Sequence, residues 1–269
     1  VVQVLLAAKA IVDVKNTLDN ETTLHMAAKN GYCGIITRLI VAKANLDVRD
    51  GRYETPLHRA IAAKQTKAVQ ILVDAKATVD TNVGDFFDWF CEAAKSGNTR
   101  LVQLMVNAMD SVDADFSRFG WRSLLHGAVG HRLNTAIRVL LDAKASLDLN
   151  DGVRGTPLHT ASRGCEIKVM QMLIDAKAPL DVYNNVGFTP LHEAAIQNTS
   201  NAVRVLINAK ASLDLWCKPR IECCGTGVTL GQTPLHGAVK WGCRATVRQL
   251  VKAKASADLS DPEGRTPLH

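Results

Sequence analysis

Thr156-Pro157-Leu158-His159-Thr160-Ala161 and Thr189-Pro190-Leu191-His192-Glu193-Ala194 open alike and lie 33 residues apart, and that interval decides how the chain folds. The tetrapeptide Thr-Pro-Leu-His also stands at Thr55 to His58, Thr233 to His236 and Thr266 to His269, with weaker copies at Thr22 to His25 and Ser123 to His126. Steps of 33 separate His25 from His58, His126 from His159, His159 from His192, and His236 from His269. One step of 33 beyond His58 lands on Cys91, where Glu92-Ala93-Ala94 continue the pattern without the imidazole. The longer steps, 35 from Cys91 to His126 and 44 from His192 to His236, read as insertions because the register resumes after each.

A second ladder runs in phase with the first. Ala-Lys-Ala recurs at Lys9, Lys43, Lys76, Lys144, Lys177, Lys210 and Lys254, with Met109 on the vacant rung. An Asp follows four residues after each rung: Asp13, Asp47, Asp80, Asp113, Asp148, Asp181, Asp214 and Asp258. Two independent columns in one register leave no room for chance.

Each column has a local physical meaning. Thr before Pro reads as a helix N-cap, its hydroxyl accepting an orphan backbone N–H, while Pro is tolerated at the first helical position. The Leu before the His, and the Ala pair that usually follows it, are apolar or small at helical spacing, so a neighbouring helix can approach closely. A second helix follows a short polar turn, as in Ala136 to Leu141 and Ala202 to Ile207, where apolar residues recur at three and four positions. After Ala-Lys-Ala the chain alternates (Leu147-Asp148-Leu149) and then turns (Asn150-Asp151-Gly152; Asn184-Asn185-Val186-Gly187), which predicts a hairpin-like finger between units.

Helix, turn, helix and finger in 33 residues opening with T-P-L-H-x-A resembles the ankyrin repeat over the whole chain. The resemblance implies an all-α ankyrin-repeat solenoid of stacked helix-turn-helix units with short β-hairpin fingers. Repeats start near 22, 55, 88, 123, 156, 189 and 233, with partial repeats at residues 1–21 and 266–269 and an enlarged finger at residues 215–231. The expectation is one continuous array, since each unit of a solenoid contacts only its neighbours. Ankyrin repeats usually carry Gly where this chain has the Lys of Ala-Lys-Ala. A non-Gly residue in a left-handed helix exit costs roughly 1 to 2 kcal/mol, so a gentler exit is expected here, with the Lys ammonium groups near the Asp column. Asp also stands where ankyrins usually have Asn, keeping the acceptor and losing the donor.

Both ends stop in mid-repeat, so the native protein is expected to extend further in each direction. No apolar run approaches the roughly 20 residues a membrane helix requires, and no signal peptide is expected, since Val1-Val2-Gln3-Val4 reads as an interrupted second helix without a basic leader. Seven cysteines without framework spacing point to a reducing compartment, cytoplasm first, then nucleus or organelle stroma. The net charge of +6 is modest, and a mild cationic excess falls on the first helices.

Catalytic motifs are absent: there is no G-x-S-x-G, no P-loop and no carboxylate pair in a plausible cleft. The histidine column reads as structural, each imidazole bridging a capping Thr and backbone groups, because rungs about 10 Å apart cannot share a metal. Cys217, Cys223 and Cys224 lack paired zinc spacing, and no cofactor or metal site is assigned. Aromatic residues carry the functional signal, since rings with interspersed Arg make protein-binding hot spots. The candidate contact residues are Tyr53, Arg59, Phe86, Phe87, Phe116, Phe119, Trp121, Arg154, Arg163, Tyr183, Phe188, Trp216, Arg220 and Trp241, with Phe86-Phe87 and Phe116-Phe119-Trp121 foremost. The chain reads as a non-enzymatic scaffold binding another protein or complex on a concave surface. Small-molecule substrate and membrane insertion are not expected, and nucleic acid is disfavoured. The alternatives are a permanently bound subunit of a large assembly and a regulatory region of a longer enzyme.

Overall fold

A computed structural model describes residues 2–8, 10–83, 85–152, 154–218 and 231–269. Among these the chain forms fifteen α-helices, one 3₁₀ turn and no strand. It divides into two compact units, Val1–Ala114 and Asp115–His269. In unit 1, α1 (Val2–Ala7) precedes three helix pairs: α2 (Thr23–Lys29) with α3 (Cys33–Val41), α4 (Pro56–Ala62) with α5 (Thr66–Asp74), and α6 (Phe86–Lys95) with α7 (Thr99–Asn107). In unit 2 a 3₁₀ turn (Ser117–Phe119) precedes four pairs. These are α8 (Leu124–Gly130) with α9 (Asn134–Asp142), α10 (Pro157–Arg163) with α11 (Ile167–Asp175), α12 (Pro190–Ile196) with α13 (Ser200–Asn208), and α14 (Pro234–Lys240) with α15 (Arg244–Lys252). Within each unit, first helices stack on first helices and second on second.

First helices are mostly seven residues long, too short to persist alone, so caps and packing must hold them. The signature Leu is fully buried in every copy that starts a helix, as are Ala60, Ala128, Ala161, Ala194 and Ala238, and these small residues let the helices of successive repeats lie close. Around each cap the His does more than bridge. In α12 the Thr189 backbone N–H donates to His192 Nδ1 over 3.2 Å, which fixes Nδ1 as an acceptor and leaves Nε2–H to donate to the Gln232 carbonyl at 3.1 Å. The same wiring joins His25 to the Glu54 carbonyl, His58 to Asp80, His159 to Phe188 and His236 to Arg265, and His126, whose Nδ1 meets the Ser123 hydroxyl, reaches Gly155. One neutral imidazole therefore caps its own helix and ties it to the next repeat.

The helix exits differ from expectation. Lys43, Lys76, Lys144, Lys177, Lys210 and Lys254 all stand at left-handed φ, between 62° and 71°. The reason is visible in the hydrogen bonds: Lys177 N–H reaches the Ile174 carbonyl and Ala178 N–H the Leu173 carbonyl, each at 2.9 Å, a Schellman closure repeated at every such Lys. The closure satisfies two orphan carbonyls and buries the following Ala, and a cation at a helix C-terminus sits at the negative end of the dipole. Nor do these lysines pair with the Asp column; among the described residues none of the six forms an ion pair, and Asp13, Asp181 and Asp214 instead accept the backbone N–H of Asn45, Ser212 and Ser256 in the following repeat. Replacing Lys177 by Gly is expected to stabilise unit 2 by about 1 kcal/mol and raise its melting temperature by about 2–4 °C. A fall in calorimetry would mean that the dipole and the stem contacts outweigh the backbone strain.

The fingers are closed loops rather than strand ladders. Asp50, Asp151, Asn184 and Asp261 each turn a side-chain oxygen back onto two backbone N–H groups, as Asn184 does to Val186 and Phe188 at 3.1 and 2.9 Å. One backbone bond then shuts each loop, such as Asn184 N–H to the Phe188 carbonyl at 2.8 Å. With the Asx side chain supplying the turn's bonds, no second ladder pair is needed.

Candidate functional site

Three of the candidate residues converge in unit 2. Trp121 and Arg154 occupy the same rung of successive fingers, each five residues before its column His, and the period brings the Arg154 guanidinium to 4.5 Å from the Trp121 ring centroid. The indole extends over the end of α8, where it meets the His131 ring edge-on at 5.6 Å. It can do so because Gly130 has no side chain: a Cβ there would overlap the indole. Other repeats carry Lys29, Ala62, Lys95, Arg163, Ile196 and Lys240 at this rung, all with a side chain, so Gly130 makes the gap into which the ring fits.

The result is a cleft of about 230 Å³ between α8 and α10, bounded by Trp121, Arg132, Arg154, Thr160, Arg163 and Glu166. Arg132 pairs with Glu166 at 2.7 Å and Arg163 with the buried Glu193 at 2.6 Å. The Arg163 guanidinium is held further above its usual pKa, first by its hydrogen bonds to Glu193. Arg154 forms no ion pair among the described residues. Thr160 Oγ1 in the cleft wall is buried and has no hydrogen-bond partner among the described residues. An aromatic wall, one unneutralised guanidinium and one unused hydroxyl suit the recognition of a side chain; no nucleophile and base stand together here.

Other candidates are placed differently. Phe86, Phe87 and Phe116 are 0%, 5% and 1% exposed and are packing residues, not contact surface. Without a Thr-Pro cap, α6 starts at Phe86 with Asp85 as N-cap, and both rings turn inward from its first turn. Phe116 is enclosed by its own finger, whose Phe119 and Trp121 N–H groups both bond to the Phe116 carbonyl. Phe119 remains half-buried, 6.1 Å from Phe116, with the Arg118 guanidinium 4.4 Å from its centroid. Arg59 is likewise not a contact residue: only 8% exposed, it is ion-paired to Glu21, Asp50 and Glu54 at 3.0, 2.6 and 3.1 Å. Burial would raise the Asp50 carboxyl, but N–H bonds from Arg52 and Glu54 and the Arg59 guanidinium hold it below its usual range; burial lifts that of Glu54 despite the same cation.

Tyr53, in unit 1, is 70% exposed on a left-handed backbone. In unit 2 Tyr183 is half-buried with the Lys218 ammonium 4.4 Å above its ring, Phe188 stacks on His192 at 5.8 Å, and Trp216 lies 6.3 Å from His236. Trp241 is 55% exposed at the α14–α15 turn, away from the fingers. Arg220, Cys223 and Cys224 lie outside the described residues. Sequence reasoning missed Gly130, Arg132, Thr160 and Glu166; only Gly130 left a signal, as the one glycine at its rung of the repeat.

Among the described residues no group of three His, Cys, Asp or Glu could hold a metal ion. Burial pushes the Cys91 thiol up to about 11 and raises Cys217 as well, so neither is a ready thiolate. No described helix is long and apolar enough to cross a membrane.

Stacked helix pairs, with the column imidazoles of the described repeats serving caps and ties to the next repeat, define a helical-repeat protein. The chain belongs to the ankyrin-repeat family. Residues 1–85 and 125–218 match a model of ankyrin repeats in three copies, and residues 230–262 match a single ankyrin repeat. A search of curated proteins finds no match. Ankyrin repeats in general mediate protein–protein interaction.

Proposed function

We propose that the protein is a non-enzymatic scaffold whose binding surface runs along the fingers and first helices of unit 2, centred on the Trp121 cleft. The observation that carries this reading is the Trp121–Arg154 pair itself: a half-buried ring held in place by Gly130, next to a cation with no carboxylate partner among the described residues. Rings and arginines at the centre of a preformed face supply most of the energy of protein association. A rigid face also spares the ordering cost of binding. Exposed finger residues Tyr53 in unit 1 and Trp216 in unit 2 are candidate rim contacts of their own units.

A photo-crosslinking residue in place of the exposed Arg118, on the first finger of unit 2, is expected to give a discrete adduct in extract, and one in place of the exposed Arg138, on α9, to give none. Arg154→Ala should lower that yield severalfold while moving the melting temperature by less than about 2 °C, as surface substitutions do. The reverse pattern, with adducts only from α9, would place the binding surface on the second helices and defeat the proposal.

A further inference from the structure

Two cations on the fingers of unit 2 are fixed in place without being neutralised. The Arg154 guanidinium stands 4.5 Å from the Trp121 centroid and the Lys218 ammonium 4.4 Å from that of Tyr183. In both pairs the cation comes from the finger following the one that carries the ring. Among the described residues neither has a carboxylate partner, whereas Arg122, Arg132, Arg163 and Arg265 in the same unit all do. A ring face holds a cation by its quadrupole and leaves the charge intact, with N–H groups free for an anion. Beside Arg154, the hydroxyl of Thr160 in the cleft wall, without a partner among the described residues, can turn to the same anion.

Resting on the reading of the unit 2 fingers as the binding surface, we infer that this surface receives an extended acidic peptide segment carrying two carboxylate side chains about six residues apart, the first held by Arg154 and Thr160 at the Trp121 cleft and the second by Lys218 beside Tyr183. The spacing follows from geometry. Arg154 lies on the finger before α10 and Lys218 on the finger before α14, two repeats further on. Stacked helices lie about 10 Å apart, giving about 20 Å, and an extended chain rises about 3.3 Å per residue. A single-stranded nucleic acid would also stack on rings, but its charge at every nucleotide would meet Glu166, which borders the cleft. A peptide can place its charges at intervals and avoid that carboxylate.

The test uses the full chain and labelled twelve-residue Gly/Ser/Ala peptides, read by fluorescence anisotropy at low ionic strength. One peptide has Glu at positions 3 and 9, one has Glu at 3 and 6, one has Lys at 3 and 9, and a twelve-nucleotide oligothymidine is the competitor class. The six-spaced Glu peptide is expected to bind tightest. Arg154→Gln and Lys218→Gln should each weaken it about fivefold to tenfold, as charge-assisted hydrogen bonds are lost. Equal binding of the Lys peptide, tighter binding of the oligonucleotide, indifference to spacing, or unchanged affinity in both variants would each overturn the inference. If the peptides fail while Arg154→Ala still lowers the crosslink yield, the acidic ligand is wrong and the binding surface stands. If both fail, the surface is wrong as well.

Discussion

Replacing Arg59 by Ala is expected to destabilise unit 1 by about 3–5 kcal/mol, the range for removing one partner from a buried ion network. Urea unfolding followed by Trp89 fluorescence should show a fall of at least about 1 M in the midpoint. The cost comes from what remains: Glu21, Asp50 and Glu54 all direct carboxylate oxygens at the Arg59 guanidinium within 3.1 Å, and Asp50 and Glu54 are 6% and 7% exposed. Arg59→Lys should recover only part of the loss, because one ammonium cannot reproduce a planar fork meeting three acceptors. The gap between Arg59→Ala and the parent should narrow as pH falls toward the carboxylate range, because burial raises the pKa of Glu54 and its protonation removes one of the charges left unpaired. A loss below about 1 kcal/mol would mean that the cluster is solvated and weakly coupled.

Acidification should have the other large effect. Burial lowers the pKa of His25, His58, His126, His159 and His192, the last to about 4. A base whose folded pKa is depressed stays neutral in the fold while the unfolded chain takes up protons. Its stabilisation is therefore complete above the ordinary histidine value of 6.5 and declines as pH falls toward the folded value. For His192 alone the loss from pH 7.5 to 5 comes to about 2 kcal/mol, and the other four act in the same direction. The carboxylates held low, Asp50, Asp80, Asp115 and Asp261, contribute stability that is lost only below the ordinary carboxylate range, and Glu54 works weakly in the opposite sense. Unfolding midpoints measured between pH 7.5 and 5 thus report the histidine caps. A flat profile would show that the imidazoles are protonated in the fold at no cost, contrary to their wiring.

The fold was legible because its period is written in residues with one local meaning each: Thr55, Pro56, Leu57 and His58 cap, start, pack and bridge within a single turn. What the sequence misplaced lay where that local code is broken. Around Cys91 the cap is missing, so the helix start moved and took Phe86 and Phe87 inside. The Lys exits were misjudged because the strain was counted and the Schellman bonds that offset it were not. Arg59 looked like surface because its three acid partners sit 38, 9 and 5 residues away, a spacing that no single-helix pattern reveals. The Trp121 cleft was half visible. Its ring, Arg154 and Arg163 stood out, while Arg132, Thr160 and Glu166 are ordinary residues that only packing brings to one place.

The imidazole strut between repeats gives the stack a polarity. When a repeat melts, the His of the repeat before it loses the acceptor of its single N–H, whereas the repeat after it loses one donor to a carbonyl that has a second lone pair. Erosion within a unit should accordingly run more readily toward the N-terminus than away from it, and amide exchange along successive caps would record that direction.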